Sequence, residues 1–447
     1  MADSLLISIV TFNHAKQIET CLKSTLLACD ELVDIHGIRA EVIFWDNNST
    51  DETASILSGY SDAHLKVVLS RENLGFSKAN NLVLSKGIEK GFSHILFLNP
   101  DTTICTEAIL QMLHGFSVAP NIALVTPKIL RLDTQRKEKI LDAAGIAYLN
   151  TFRHLDRGSG EGDLGQYDTP AFVMGGTGAC LMTSLKAAKE ISIPPSVSQN
   201  SKVSLQAIDT EFIECPYYEL LDDNYFAYRE DADLGLRANR LGWKILYWPK
   251  SVVYHERQVT PERRKDINPK TNGYSIRNRY LLLNSHLSII PKSHWLKIAT
   301  YNLGTLLYVF LFERTSLPYL KQIKQYAPKA KRIGKWLKEN QGEGFSSLRL
   351  VGKSELSANV DNLNLYDKKV ETVTAIIINY NSGNRIRQCL KGLVINKPRW
   401  LRIVVMDNAS KDGSVSDLPN LDINLIESPD NLGFAGGINL AVEKFPA

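Results

Sequence analysis

Apolar residues along the first part of the chain gather into short, nearly continuous runs. These are "LLISIVTF" (5–12), "AEVIFWD" (40–46), "LKVVLS" (65–70), "HILFLNPD" (94–101) and "IALVTPKIL" (122–130). Runs of strand length, rich in Ile, Val and Leu and not alternating with polar residues, predict strands covered on both faces. Between several of them, "AKQIETCLKSTLLACDEL" (15–32) and "KANNLVLSKGIEKG" (78–91) place apolar residues at helical spacing. Strands alternating with helices predict an α/β fold, a Rossmann-like, mostly parallel sheet flanked by helices. In such sheets ligands sit beyond the carboxyl ends of the strands. The polar residues that close the runs, Asn13, Asp46, Asn99 and Asp101, are therefore the first candidates for chemistry.

From Gly175 to His255 the pattern is less regular and includes "SIPPSVSQNSK" (192–202), whose Ser/Pro content predicts an exposed loop. Residues 273–341 read as helical. Within them Lys321–Lys338 holds seven basic residues and no acid. Residues 342–370 are polar and predict a linker. After them the opening pattern returns. "VTAIIINYNSGNRIRQCLKGL" repeats "LLISIVTFNHAKQIETCLKSTL", "LRIVVMDNASKDGS" repeats "AEVIFWDNNSTDET", and "DNLGFAGGIN" repeats "ENLGFSKANN". Three matched segments in one order predict a duplicated unit. The predicted organisation is a catalytic domain (1–272), a helical, basic subdomain (273–341), a linker (342–370) and the first part of a second domain (371–447). The counterpart of Asp101 would lie beyond Ala447, so the chemistry is expected in the first copy.

With 447 residues, 44% apolar and 22% charged, the chain is long enough for two or three cores. A net charge of +4 is too small to argue for nucleic acid. The six cysteines contain no CxxC pair and read as reduced thiols. The start, "MADSLLISIVTFN", lacks a basic leader with a signal-length apolar core. No run reaches about 18 uninterrupted apolar residues, which argues against a spanning helix. The expected location is the cytoplasm.

Three stretches carry candidate chemistry. "WDNNSTD" ends the second strand, where the Asp46 carboxylate is placed to accept a ring N–H, with Ser49 adding a polar contact. An Asx-type turn explains the same residues. "LNPD" closes the fourth strand. Carboxylate and amide oxygens suit Mg²⁺ or Mn²⁺, which share ligands with substrate phosphates, although Asn-Pro-Asp is also a turn sequence. "NYFAYREDADLGLRANRLGW" (224–243) crowds Glu230, Asp231 and Asp233 before a helical run. Acids favour a helix N-terminus, yet three so close repel, which points to one placed to take a proton. His255 ends another strand-like run. Neither GxxxxGK[ST] nor a GxGxxG after the first strand is present, which counts against a P-loop NTPase and a Rossmann dehydrogenase.

The ordered set "VTFN", "WDNNSTD", "NLGFSKANN", "LNPD", "GGTGACLM", "YFAYREDADLGLRANRLGW" and "VVYH" resembles glycosyltransferase family 2, particularly its rhamnosyltransferase-like members. The resemblance spans roughly residues 5–283 and recurs in part in the second copy. It implies a GT-A fold and metal-dependent transfer, with inversion, of a sugar such as L-rhamnose from a dTDP-, UDP- or GDP-linked donor. The acceptor would be a glycan or lipid-linked glycan of a bacterial surface polysaccharide. By the same resemblance Thr11, Asn13, Asp46 and Ser49 line the nucleobase pocket. Asn73, Gly75 and Lys78 shape the wall beside the donor, and Asn99 stands where the family has the first Asp of its metal motif. Asp101 would hold Mn²⁺ or Mg²⁺ with His255 as a further ligand. Asp231 would be the general base, Glu230 its assistant, and Arg277 and Arg279 would meet the leaving diphosphate. Two rivals stand beside this reading: a sugar-nucleotide pyrophosphorylase, whose Gly-rich basic start "IVTFNHAK" does not match, and a catalytically silent glycan- or nucleotide-sugar-binding module. "WLKIATYNLGTLLYVFLF" (295–312) with the basic run after it fits either a membrane surface or an ordinary helical subdomain.

Overall fold

The computed structural model describes residues 3–132, 138–199, 215–257, 269–342, 347–352, 373–394, 401–416 and 423–445, with Phe212, Phe345 and Leu418 between them. Most of the predicted linker lies outside the described residues. The chain forms two compact units, 1–362 and 363–447.

In the first unit, β1 (Ser4–Thr11), β2 (Arg39–Asp46), β3 (Leu65–Leu69) and β4 (His94–Leu98) are the predicted apolar runs, and they pair in parallel in the order β4-β1-β2-β3. Helices α1 (Ile18–Asp34), α2 (Thr53–Ser58), α3 (Gly75–Glu89) and α4 (Thr106–Gly115) connect and cover them, with the two-residue strand β5 (Thr102–Thr103) before α4. The sheet extends through β6 (Ile122–Arg131), with the short β7 (Leu141–Ala143) at its edge and a separate hairpin of β8 (Ile146–Tyr148) and β9 (His154–Asp156). Strands β10 (Ala171–Phe172), β11 (Cys180–Ser184) and β12 (Lys244–His255) complete the order β10-β12-β6-β11-β4-β1-β2-β3. The section that reads as irregular in sequence thus contains β11, inserted antiparallel between β4 and β6, and the longest strand.

Both faces of the central strands are buried because their runs are predominantly apolar on both sides. Leu5, Ile7 and Ile9 pack with Cys21, Leu22 and Cys29 of α1. Leu6 and Val10, one residue out of phase, pack with Leu82 and Val83 of α3 on the other side. Each such side chain contributes about 1.5–3 kcal/mol relative to exposure. Helix α5 (Leu185–Ile191) starts at Ser184, whose Oγ accepts from the Ala187 amide at 3.2 Å. The predicted loop at 192–202 is corrected over its described part. Ser192 is buried, Ile193 pairs with Glu219, and α6 (Pro195–Ser198) forms a helical turn.

Helix α7 (Glu230–Arg240) joins α8 (Pro269–His286), α9 (Trp295–Phe312) and α10 (Leu317–Glu339) around a core of Leu236, Leu281, Leu282, Ile298 and Ala330. The segment Lys292–Phe312 is long and apolar enough by composition to cross a membrane. Counting uninterrupted apolar residues missed it, because Lys297, Thr300, Asn302 and Gly304 break the run. In the second unit, β13 (Val373–Asn379), α11 (Asn384–Val394), β14 (Leu401–Asp407), β15 (Asn424–Glu427) and α12 (Gly433–Lys444) form a three-stranded parallel sheet with two helices.

Candidate active site

The loops after β1, β2 and β3 are tied together by side chains that satisfy backbone groups. Buried Asp46 accepts from the Ser49 amide at 2.9 Å and from the Ser49 hydroxyl. The Ser49 hydroxyl in turn accepts from the Asn13 amide at 2.9 Å, and Asn13 Oδ1 accepts from the Thr50 amide at 2.8 Å. Asn47 donates to the Gly75 carbonyl at 3.1 Å and accepts from the Leu74 amide at 3.2 Å, while Asn73 Oδ1 accepts from the Gly75 amide at 2.9 Å. The second unit reproduces these bonds within itself. Asn381 accepts from the Lys411 amide at 2.8 Å, Asn408 holds Gly433 and Leu432, and Asn431 accepts from the Gly433 amide at 2.9 Å. Positive φ recurs with them, at Asn13, Asn48 and Gly75 and at Asn381, Ala409 and Gly433.

In the first unit the turn at Gly75 meets the loop before α7. Gly75 has φ +80°, and a Cβ there would stand 2.6 Å from Phe226, so only glycine fits. The Phe76 amide donates to the Phe226 carbonyl at 2.6 Å. That loop is strained, with φ of 63°, 71° and 76° at Phe226, Tyr228 and Arg229. Non-glycine residues in this region cost on the order of 1–3 kcal/mol each and persist only where neighbours enforce them. Here the enforcing group is the Asn278 amide of α8. Its Nδ2 reaches the carbonyls of Tyr225 (2.9 Å), Ala227 (2.9 Å) and Tyr228 (2.7 Å). Arg229 is anchored by its Nε to the Ser275 carbonyl at 2.8 Å and by Nη1 to His154 at 2.9 Å.

The strained loop delivers the three acids of α7 to different places. Asp233 faces inward, fully buried, with Arg237 at 2.7 Å and His286 at 2.9 Å. These partners overcome its burial and hold its carboxyl down to about 2. Glu230 and Asp231 lie on the other side. Asp231 accepts from the Gly178 amide at 3.0 Å and from the Ala232 amide at 2.7 Å. Burial pushes Asp231 up to about 6, opposed by those amides and reinforced by Asp156. Glu230, pushed up to about 8 by burial and then by Asp231, leaves Oε2 buried with no hydrogen-bond partner. Two adjacent carboxyls that hold protons unusually well, one of them unsatisfied, suit proton transfer.

A second cluster lies at the ends of β4 and β12. Asp101 Oδ1 is 3.1 Å from His255 Nε2, and His255 Nδ1 is 2.8 Å from Asp142. Arg257 continues the chain, 3.0 Å from Asp142 and 3.0 Å from Asp156. The two carboxylates outweigh burial and raise His255 to about 9. The clusters are neighbours: Asp156 acts on Asp231, and after burial, the charges of Glu230 and Asp101 raise the Tyr228 phenol. His14, whose ring lies 3.3 Å from the Thr11 hydroxyl, is held below its ordinary value by burial, against the pull of Asp101 and Asp51. Among the described residues no group of three or more side chains forms a metal cage. The donors that converge are one carboxylate oxygen and one imidazole nitrogen, with Asp142 orienting the ring.

Of the residues expected from sequence, Thr11, Asn13, Asp46, Ser49, Asn73 and Gly75 gather in the loop network, Glu230 and Asp231 in one cluster, and Asp101 and His255 in the other. Asn99 lies half-buried before Asp101, its backbone N–H bonded to Ala179 O at 2.9 Å. Lys78 stands half-buried on the first turn of α3. Arg277 and Arg279 are corrected. Arg277 donates to the carbonyls of Asn224 (2.6 Å) and Tyr225 (2.9 Å) and to Gln322. Arg279 donates to the carbonyls of Phe152 (3.0 Å) and Thr151 (2.7 Å) and to Asn302. Both are buried, and their donors hold the fold instead of facing a diphosphate. The sequence reading missed His14, Asp142, Asp156, Arg257 and Asn278. Cavities of about 400 Å³ (around Asn284, Trp295 and Lys331) and 660 Å³ (around Pro216, Trp243 and Trp336) involve none of these residues.

No curated protein matches the chain by sequence. Solved structures with similar folds include GalNAc-T7 with UDP, GalNAc and Mn²⁺ (14% identity, TM-score 0.43, covering 76% of this chain and 57% of that one). Others are the mannosyltransferase PcManGT from Pyrobaculum calidifontis with GDP-Man and Mn²⁺ (13%, 0.34, 75% and 88%) and S. aureus TarS 1–349 (15%, 0.34, 77% and 93%). The chain thus spans little more than half of the GalNAc-T7 structure. The family model "Glycosyl transferase family 2" matches residues 6–177, which hold the loop network and Asp101, and again 374–445, together more than half of the chain. The chain belongs to glycosyltransferase family 2.

Proposed function

We propose that the first unit transfers a sugar from a nucleoside-diphosphate donor to an acceptor hydroxyl with inversion, Asp231 acting as general base. The observation that carries this reading is the state of Asp231. A carboxyl raised to about 6, fixed by two amides and set beside an unsatisfied Glu230, is tuned to take a proton near neutral pH. Inversion needs one base on the acceptor side and charge neutralisation at the leaving diphosphate. The loop network of Thr11, Asn13, Asp46 and Asn73 forms the donor side, and Glu230 orients the acceptor.

Asp101 and His255 fit a divalent cation shared with a diphosphate once the His255 imidazolium gives up its Nε2 proton to the incoming cation: two protein donors then converge, and the Asp142 carboxylate behind the ring holds the remaining proton on Nδ1. A Mn²⁺ or Mg²⁺ bound there would supply Lewis-acid stabilisation of the leaving group. Donors based on dTDP, UDP or GDP, L-rhamnose among the sugars, and a bacterial polysaccharide acceptor fit the family. In the test, melting of the full chain is followed with UDP-, dTDP- and GDP-sugars, with Mn²⁺ or with EDTA. A donor at about 100 times its dissociation constant adds roughly 2.7 kcal/mol. A metal-dependent shift with one nucleotide class, lost in Asp101→Ala, together with transfer lost in Asp231→Asn, is the expected result. A shift without any transfer, in wild type as in Asp231→Asn, would mark a silent binding module.

A further inference from the structure

Helix α9 is thinly covered by the rest of the first unit. Of its 18 residues only Ile298 and Val309 are buried. Leu296 (75% exposed), Leu303 (69%) and Phe312 (75%) stand in solvent, as do Leu307, Phe310 and Leu311. A soluble helix shows one apolar stripe turned to its core, whereas this one is apolar on the faces turned away from it. Its charge surroundings are equally uneven. Residues 292–339 contain ten Lys or Arg and two Glu, a net of +8 in a chain whose total is +4, so the remainder is net negative. Exposed Lys292, Lys297 and Arg314 sit at or near the helix ends, and exposed Lys321, Lys324 and Lys335 follow on α10.

Length and composition alone would allow α9 to span a bilayer. Its attachments do not. At its start, His294 bonds Asn150 at 3.0 Å and Trp295 bonds the Ile290 carbonyl at 3.3 Å. At its end, Ser316 is fully buried, and α10 returns to pack on α8 through Tyr319 and Tyr274. Both ends of a helix about 27 Å long are thus fastened to one folded body, which cannot lie on both sides of a membrane. We infer that α9 lies in the plane of an anionic lipid surface, its leucines and phenylalanines among the acyl chains and the surrounding lysines against the headgroups. Trp295 near one end and Tyr308 near the other suit that depth.

The inference is independent of transfer chemistry, and its test needs none. The full chain is floated with vesicles of phosphatidylcholine alone and with equimolar phosphatidylcholine and phosphatidylglycerol. Binding to the anionic vesicles, weakened by salt, is expected. Removing Lys321 and Lys324 as glutamines should weaken it roughly 25-fold, at about fivefold per charge. Leu307→Asp with Phe310→Asp should abolish it while leaving the melting temperature unchanged, since both side chains are exposed. No binding to either vesicle would overturn the inference. Self-association in solution, lost in the same double aspartate variant without any lipid binding, would show instead that a second copy covers this face.

Discussion

One amide serves three carbonyls of the strained loop before α7, and that makes Asn278→Leu an informative perturbation. The Asn278 Nδ2 carries two hydrogens and serves three carbonyls, of Tyr225, Ala227 and Tyr228. The Tyr225 carbonyl keeps Arg277 as a donor, so two carbonyls, of Ala227 and Tyr228, lose theirs, and at about 1–3 kcal/mol each the loop in its present form loses roughly 2–6 kcal/mol. Its three positive-φ residues store strain of the same order, about 1–3 kcal/mol each. The loop therefore relaxes locally, the unit stays folded, and the measured loss of stability falls below the sum of the broken bonds. Relaxation moves Glu230 and Asp231, and a misplacement of about 1 Å at the reacting atoms costs on the order of a hundredfold. Steady-state transfer kinetics should show kcat lower by about that factor, with the donor KM changed far less. The acid limb of the pH profile should also move downward, because a loosened loop exposes Asp231 and removes the main cause of its raised value. A folded Asn278→Leu protein with unchanged kcat and unchanged pH profile would refute the assignment of Asn278 as the positioning residue.

In the wild type, transfer should fall as pH drops through about 6, where Asp231 takes up its proton, and Asp231→Asn should remove that limb along with activity, by roughly 10²–10⁴-fold. Asp233 titrates with the opposite sense. Its folded value of about 2 lies below the ordinary 3.8, so its stabilisation is complete above about 4 and is lost as pH falls toward 2. The amount is about 2 kcal/mol, read as steepening acid unfolding by circular dichroism, and Asp233→Ala should cost about 3–5 kcal/mol by leaving Arg237 buried and unpaired. Gly75→Ala meets both a positive φ and the Phe226 carbonyl, and should lower donor affinity and kcat together as the two loops separate. Wild-type kinetics in that variant would remove the coupling between them.

Much of the sheet was legible because a strand buried on both faces needs only an apolar run, a local property of the sequence. Strand β11 was less legible, since its antiparallel insertion between β4 and β6 is decided by partners far along the chain. The acidic cluster shows the same limit. Glu230, Asp231 and Asp233 look alike in a row, and only the i,i+4 arginine at 237 marks Asp233 as structural. Its second partner, His286, is brought in by α8. The segment "IRNRY" misled for a related reason. The family resemblance assigns both arginines to a leaving diphosphate, yet burial turns both toward carbonyls, while the asparagine between them holds the loop before α7. Asp142 and Asp156, on short strands with no motif around them, carry no local signal at all.

The phrase written twice in the chain illustrates what a sequence motif encodes. Residues matched between the two units are largely those whose side chains hold backbone: Asn13 and Asn381, Ser49 and Ser410, Asn47 and Asn408, Asn73 and Asn431. These bonds shape loops with positive φ and leave buried amides satisfied, a requirement of the fold before any ligand arrives. The difference falls beside the carboxylate. In the first unit the Thr11 hydroxyl lies near His14, and among the described residues the Asp46 carboxylate accepts from Ser49. In the second, Asn379 donates to Asp407 at 2.6 Å and also to Ser410 and Ser414. The amide occupies an acceptor position that Asp46 keeps for another donor. The repeat is thus a shared way of folding three loops. What distinguishes the first unit within these loops is the threonine that leaves its aspartate available.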